Sequence, residues 1–241
     1  MINAACGNGF NSVYLAAQGY RVFGFDVAPS AIARSKELAS RVGVRGEIFT
    51  CADHSALQAY AKQSADVVCA LGFMRYLKTD IRDAVYRQVA RIPKPNGCFI
   101  VSNDNDLFNM FSLNNESLAF WNDLIIGFSD VEQLLEGKSL KAILEENTKL
   151  PQRQYSQRSV SRHIKKYSAN PLTCGEVMRP YGFRLDKVVY PDAHLLPPFV
   201  EALVNRDALE VMKETTCLHR AENDWRSMLM GFEFLSFLRR S

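Results

Sequence analysis

Two glycines and one aspartate carry the most specific chemistry in this sequence. Gly7 and Gly9 stand in a tight turn behind a short apolar run, and Asp26 ends a second apolar run one helix further on. Glycine lets backbone approach a ligand where a Cβ would collide, and a carboxylate can accept hydrogen bonds from both hydroxyls of a ribose. Strand, glycine turn, helix, strand, acid is the order in which a doubly wound sheet grips an adenosine-containing cofactor. The same glycines would serve a plain turn, and it is Asp26 at this spacing that points to a pocket.

The elements that must position these residues alternate. Apolar runs at 1–5, 20–25, 46–51, 66–71 and 98–102 predict five strands, the fourth continuous enough to be buried on both faces. Between them, Phe10, Val13, Tyr14 and Ala17 recur at helical spacing, with Gly19 placed to stop that helix. Pro29 suits a first helical turn and predicts a helix over 29–40, and a polar, helix-compatible stretch follows Asp53. Ile81, Val85, Val89 and Ile92 form one apolar stripe of a helix capped by Thr79 or Asp80. The run 93–97 reads as a turn. Strict alternation of strand and helix predicts a mostly parallel sheet.

From Asn103 the rhythm changes. Residues 106–170 are helix-compatible and polar, with apolar clusters that include Phe108, Phe111, Phe120 and Trp121, and predict an inserted cap. Arg158, Arg162 and Lys166 share a helical face that is either solvated or an anion site. A helix finishing over 176–181, punctuation by Gly182 and a strand over 183–190 follow. A long excursion over 192–224 carries His194 ahead of Pro197 and Pro198, where it is either a substrate-facing group or a structural hydrogen-bonder; His163 and His219 read as surface residues. A β-prone run over 228–238 ends the chain as an antiparallel partner, so a hairpin closes one sheet edge. The expected division is 1–105 as the cofactor-binding half of the sheet, 106–170 as the helical insertion, and 171–241 as a C-terminal helix and closing hairpin of the same domain.

Composition excludes several alternatives. A chain of 241 residues with 47% hydrophobic and 23% charged residues has the balance of an ordinary globular protein. A net charge of +3 gives no support to a general nucleic-acid or membrane-surface role. The six cysteines form no C-x-x-C pair and read as buried reduced thiols, which with the lack of a bilayer-length apolar run places the expected protein in the cytoplasm. No metal-ligand cluster is expected.

The run Asn3-Ala4-Ala5-Cys6-Gly7-Asn8-Gly9 resembles the glycine motif of class I S-adenosylmethionine-dependent methyltransferases. Four later stretches fit the same family in order: Gly24-Phe25-Asp26-Val27, Cys51-Ala52-Asp53, Asp66-Val67-Val68 with Tyr76-Leu77 behind it, and Pro93-Lys94-Pro95-Asn96-Gly97-Cys98. Ser102-Asn103-Asp104 and the segment around His194 loosely resemble bacterial members acting on small molecules or surface-polysaccharide sugars. The resemblance implies an α/β, doubly wound Rossmann-like sheet and S-adenosylmethionine as cofactor. It implies that Asn3, Ala5, Gly7 and Gly9 form the turn beside the cofactor and that Asp26, with Val27 beside it, holds the ribose. Asp53 would meet the adenine amino group, flanked by Ala52 and His54, although an acid there also suits a helix cap. Leu71 and Gly72 would approach the methionyl end. For catalysis, His194 or Asp104 is the expected base and Tyr76 a pocket wall, with Arg75 and Asp106 as further polar groups beyond the strand ends.

The expected partner is a small-molecule methyl acceptor with a hydroxyl nucleophile, a sugar or surface-polysaccharide precursor among the candidates. No nucleic acid and no membrane span are expected, and homo-oligomerisation stays open. Asn3 replaces the family's acidic residue and Ala5 its first glycine. The sequence also begins inside the first strand, where the family usually has a covering helix. Those departures leave a catalytically inactive pseudo-methyltransferase that partners another chain as one alternative. An NAD-dependent oxidoreductase is the other, disfavoured because Ser12 stands at the third glycine of G-x-G-x-x-G.

Overall fold

The computed structural model describes residues 1–112, 167–191, 194, 207, 211 and 225–241. The expected cap beyond residue 112, with Phe120, Trp121, Arg158, Arg162, His163 and Lys166, lies outside the described residues, as do His219, Cys217 and most of the excursion over 192–224. The chain divides into two compact units: Met1–Asp104, Lys165–Val189 and Phe234–Ser241 form the first, and Asn105–Ile164 and Tyr190–Glu233 the second.

The first unit is built on a sheet of β1 (Ile2–Ala4), β2 (Phe23–Asp26), β3 (Phe49–Cys51), β4 (Ala65–Ala70), β5 (Pro93–Asn105), the two-residue β6 (Ser168–Ala169), β7 (Phe183–Val189) and β8 (Glu233–Arg240). Their order is β3-β2-β1-β4-β5-β8-β7, with β6 paired to β5. Strands β1 to β5 pair in parallel, Ala4 standing opposite both Phe25 and Ala70. Strand β8 runs antiparallel to β7 and separates it from β5, so β7 is the edge of the closing hairpin. The order in which successive strands are added reverses between the parallel strands β1 and β4, which puts a ligand crevice beyond their carboxyl ends.

Parallel strands buried on both faces need near-continuous apolar sequence, and β4 supplies it, with Val68 and Ala70 fully buried. Phe25, Val68, Phe99 and Leu238 join one core across four strands. Helix α2 (Pro29–Arg41) opens on proline, whose fixed φ suits the first turn, and α3 (Thr79–Arg91) buries Val85, Tyr86 and Val89. A turn over Arg179–Tyr181 follows α5 (Cys174–Met178), and the Tyr181 hydroxyl donates to Asp83 of α3 at 2.5 Å.

Several local expectations are corrected. Helix α1 (Phe10–Ala17) turns Ser12 and Val13 inward and leaves Phe10 66% and Tyr14 61% exposed, so the aromatic positions do not face the core. A polar residue faces inward here because Ser12 finds a hydrogen-bond partner in Asn3. Residues Gly46–Ile48 form a 3-10 turn, which shortens β3. Neither Thr79 nor Asp80 caps α3; Lys78 holds the cap position without a side-chain bond. The expected turn over 93–97 is drawn into β5, where Pro93 pairs with Ala65 through an irregularity at Asn96, whose φ is +62°. Cys69, Cys98 and Cys174 are buried free thiols, but Cys51 is exposed.

In the second unit, α4 (Asp106–Ser112) and α6 (Trp225–Met230) pack on one another. Met228 to Met230 are thus helical and not strand as their β-propensity suggested. Buried Asn105 explains the arrangement. Its amide donates to the Met228 and Gly231 carbonyls at 2.7 and 2.8 Å, and its carbonyl oxygen accepts from Leu107 N–H at 3.0 Å. Gly231 is required beside it, since a Cβ there would stand 2.8 Å from the Ser227 carbonyl. Among the described residues, no helix is long and apolar enough to cross a membrane.

Candidate cofactor site

The glycine turn leaves β1 at Ala4 and enters α1 at Phe10. Three of its residues, Ala5, Gly7 and Gly9, have φ of +53°, +55° and +73°. Left-handed backbone is nearly free for glycine and costs about 1–2 kcal/mol for a residue with a Cβ, so Ala5 holds local strain where the family motif has glycine. The two glycines differ. A Cβ on Gly9 would stand 2.6 Å from Ser35 Oγ and 3.0 Å from the Phe49 ring, so Gly9 lets α2 and β3 close on the turn. A Cβ on Gly7 would meet nothing within 4 Å, and the same holds for Gly72 beyond β4, with φ of +67°. Gly9 is thus a packing glycine, while Gly7 and Gly72 face open space beyond the ends of β1 and β4.

Asp26 stands at the carboxyl end of β2, partly exposed. Its Oδ2 accepts the Gly7 N–H at 2.9 Å and its Oδ1 accepts the Ala28 N–H at 2.9 Å. An ionised carboxylate offers about four lone-pair sites, so each oxygen, with one bond made, can still accept from a ribose hydroxyl. The Gly7 contact also fixes the turn against the carboxylate before any ligand arrives. Val27 beside it is 70% exposed, an apolar surface suited to lie against a base. Burial first, then the Asp26 charge, pushes the Cys6 thiol up to about 11, so the sulfur is a neutral filler.

Asn3 is buried, and its amide nitrogen donates to Ser12 Oγ at 2.9 Å. Position 3 therefore ties β1 to α1, and Ser12, at the place of a third glycine, is part of that tie. Asp53 caps the 3-10 turn His54–Ala59: its Oδ1 accepts the Ser55 N–H at 2.9 Å, and hydrogen bonds from Ser55 hold its carboxyl below the usual range. Ala52 N–H is bound to the Asp26 carbonyl at 2.9 Å, and His54 opens the turn, partly exposed. Leu71 is partly exposed, and the Gly72 N–H donates to Ser102 Oγ at 2.7 Å.

The structure assembles Gly7 and Asp26 by direct contact, with Val27, Ala52 and Asp53 following on from the adjacent ends of β2 and β3 and Leu71 and Gly72 from the end of β4. Of the expected catalytic set, Asp104 and Tyr76 lie in the first unit and His194 in the second. Asp104 pairs with Arg75 at 2.5 Å, both nearly buried, and Tyr76 is 43% exposed. His194 belongs to the second unit, its ring 5.3 Å from that of Phe108 and its N–H on the Met230 carbonyl at 2.8 Å. Sequence reasoning gave no role to Ser35 and did not foresee the hydrogen bonds of Ser12 and Ser102. Ser35 Oγ lies 3.0 Å from the Gly7 carbonyl and 2.9 Å from that of Ala31. A small polar residue facing inward from an amphipathic helix is the signal that was present at 12 and 35.

The sheet order is that of a Rossmann-like methyltransferase fold. Residues 2–101 match the family described as a methyltransferase domain. A 2-heptyl-1-hydroxyquinolin-4(1H)-one methyltransferase of Mycobacteroides abscessus is 27% identical over 101 residues, which span 42% of this chain and 44% of that protein. The chain is also similar in fold to an S-adenosylmethionine-dependent methyltransferase from Mesorhizobium loti. There the TM-score is 0.55 at 14% identity, covering 99% of this chain and 89% of the other. The magnesium protoporphyrin IX methyltransferase of Synechocystis PCC 6803, in a structure with bound SAH, gives a TM-score of 0.52 at 14% identity, covering 100% and 73%.

Proposed function

We propose that this protein transfers the methyl group of S-adenosylmethionine to a hydroxyl of a small molecule. The observation that carries the reading is the contact of Asp26 with the Gly7 N–H, which joins the acid after β2 to the glycine turn after β1. Asp26 would hold the ribose hydroxyls, Val27 and the Asp53 region the base, and the open faces of Gly7 and Gly72 the ribose and methionyl portions. When bound, the cofactor supplies a methyl group already activated on a sulfonium. The chain's own residues must then bind the acceptor, exclude water and remove one proton from its hydroxyl. Arg75 engages the Asp104 carboxylate, and Asp104 would orient the acceptor, with Tyr76 as a wall. The hydroxyquinolone named for the Mycobacteroides relative supports a small acceptor. Sugars and polysaccharide precursors are within the same class.

The test is transfer of an isotope-labelled methyl from S-adenosylmethionine to a panel of hydroxylated small molecules, sugars included, with Asp26→Ala as control. Label in an O-methyl product, lost in the variant, supports the reading; label on nitrogen or carbon alone contradicts it. A second reading, a chain that binds the cofactor without turnover, is favoured by Asn3. Its side chain bonds Ser12 and lacks the charge that would hold a ligand ammonium. Saturable binding with no transfer to any acceptor is its signature. An oxidoreductase reading is not favoured by Ser12, which is fully buried where a third glycine would stand.

A further inference from the structure

Strand β5 presents opposite side chains to opposite faces of the sheet. Ser102 takes the Gly72 N–H, whereas Val101 and Asn103 on the other face line a cavity of about 200 Å³ within the first unit. That volume exceeds the roughly 10–15 Å³ one water requires by more than tenfold. Its walls also include Arg82 and Tyr86 of α3, Val177 of α5 and Ser236 of β8, with further residues from β6, the segment after it and α5. No aspartate or glutamate is among the lining residues.

The polar groups here are buried and under-used. Asn103 is only 4% exposed, and it lines the cavity. Ser236 is 1% exposed; its hydroxyl lies beside the Cys174 thiol, yet Oγ has no well-formed hydrogen bond. Arg82 uses Nη2 on the Met74 and Leu77 carbonyls at 3.2 and 3.5 Å and lies over the Tyr167 ring, but its buried Nε has no partner. A buried donor left unmade costs about 1–3 kcal/mol, and more on a charged group. Two such groups around one space, with the Asn103 amide beside them, a cation and no carboxylate, favour an anion that accepts several hydrogen bonds. Val101, Val177 and the Tyr86 ring add an apolar wall.

We propose that this cavity binds a short-chain aliphatic carboxylate, the carboxylate accepting from Arg82 Nε and Asn103 and the chain lying along Val177. The site is separate from the glycine turn and independent of the methyl-transfer reading. The test uses the full chain and sodium butyrate, with butyramide as the neutral isostere, followed by saturation-transfer NMR and calorimetry at constant ionic strength. Expected is saturable binding of butyrate, weaker by about tenfold or more for butyramide and for Arg82→Gln, as loss of one charge-assisted hydrogen bond requires. Val177→Phe, which fills the cavity from the exposed side of α5 and leaves the polar groups intact, should abolish it and serves if Arg82→Gln fails to fold. S-adenosylhomocysteine affinity should be unchanged in both variants. Butyrate that does not saturate, that binds no better than butyramide, or that binds Val177→Phe as tightly as the unaltered chain overturns the proposal.

Discussion

The two ends of the sheet in the first unit are built by opposite means. Around β1 and β2 the site is made from backbone and small side chains close in sequence: Gly7 meets Asp26 across 19 positions, and Asn3 meets Ser12 across nine. Around β5 and α5 the polar groups are side chains, one of them charged, brought together across most of the chain, as with Arg82 and Asn103 beside Ser236. The first region presents turn positions of positive φ already fixed by hydrogen bonds. The second keeps donors that its own side chains leave unsatisfied. Preorganised backbone suits a cofactor that always has the same shape, whereas side-chain groups are the part of a Rossmann-like fold that varies with the ligand.

If backbone packing is what fixes the glycine turn, the largest effect should come from Gly9→Ala. The left-handed φ and the clash with Ser35 predict a loss of about 2–5 kcal/mol in urea unfolding, with cofactor affinity falling alongside. Gly7→Ala, with open space around it, should retain most of the stability, which would sharpen the distinction between the two glycines. On the other side, Arg75→Met leaves Asp104 nearly buried without its guanidinium and should cost about 3 kcal/mol, read in the same unfolding experiment. An unchanged midpoint there would mean that the pair contributes nothing to the contrast.

The distinction between the regions also accounts for what the sequence revealed. The alternation of strands and helices, the glycine turn and Asp26 were legible because period, turn residues and a short spacing encode them locally. The inward face of α1 was not, since Phe10 and Tyr14 are the apolar choice by pattern and Ser12 wins only through its bond to Asn3. The helix over Trp225–Met230 was hidden for a similar reason. Met228 to Met230 read as strand until Asn105, more than 120 positions away, takes their carbonyl region. Nothing local signals the pairing of Arg75 with Asp104.

A smaller effect is pH-dependent. Burial holds the thiols of Cys6 and Cys69 up at about 11 and about 12, against the ordinary 9.0 they regain on unfolding. Folded-state values above unfolded ones mean stability that is complete below pH 9.0 and lost as pH rises through the window to about 12. At about pH 10 the loss from Cys69 should be about 1 kcal/mol, with less from the half-buried Cys6. Cys69→Ala should flatten the profile. The smallest change concerns Ala5, where glycine would relieve the left-handed strain at some entropic cost, so Ala5→Gly should stabilise the chain by about 0.5–1 kcal/mol in thermal unfolding.

The central claim is that Asp26 and the glycine turn form one cofactor site, and calorimetric titration with S-adenosylmethionine, S-adenosylhomocysteine and NAD tests it most directly. The account predicts micromolar-range binding of both adenosyl compounds, weakened about a hundredfold or more in Asp26→Ala, and no preference for NAD. Tighter binding of NAD, or adenosyl binding that survives the loss of Asp26, would contradict it.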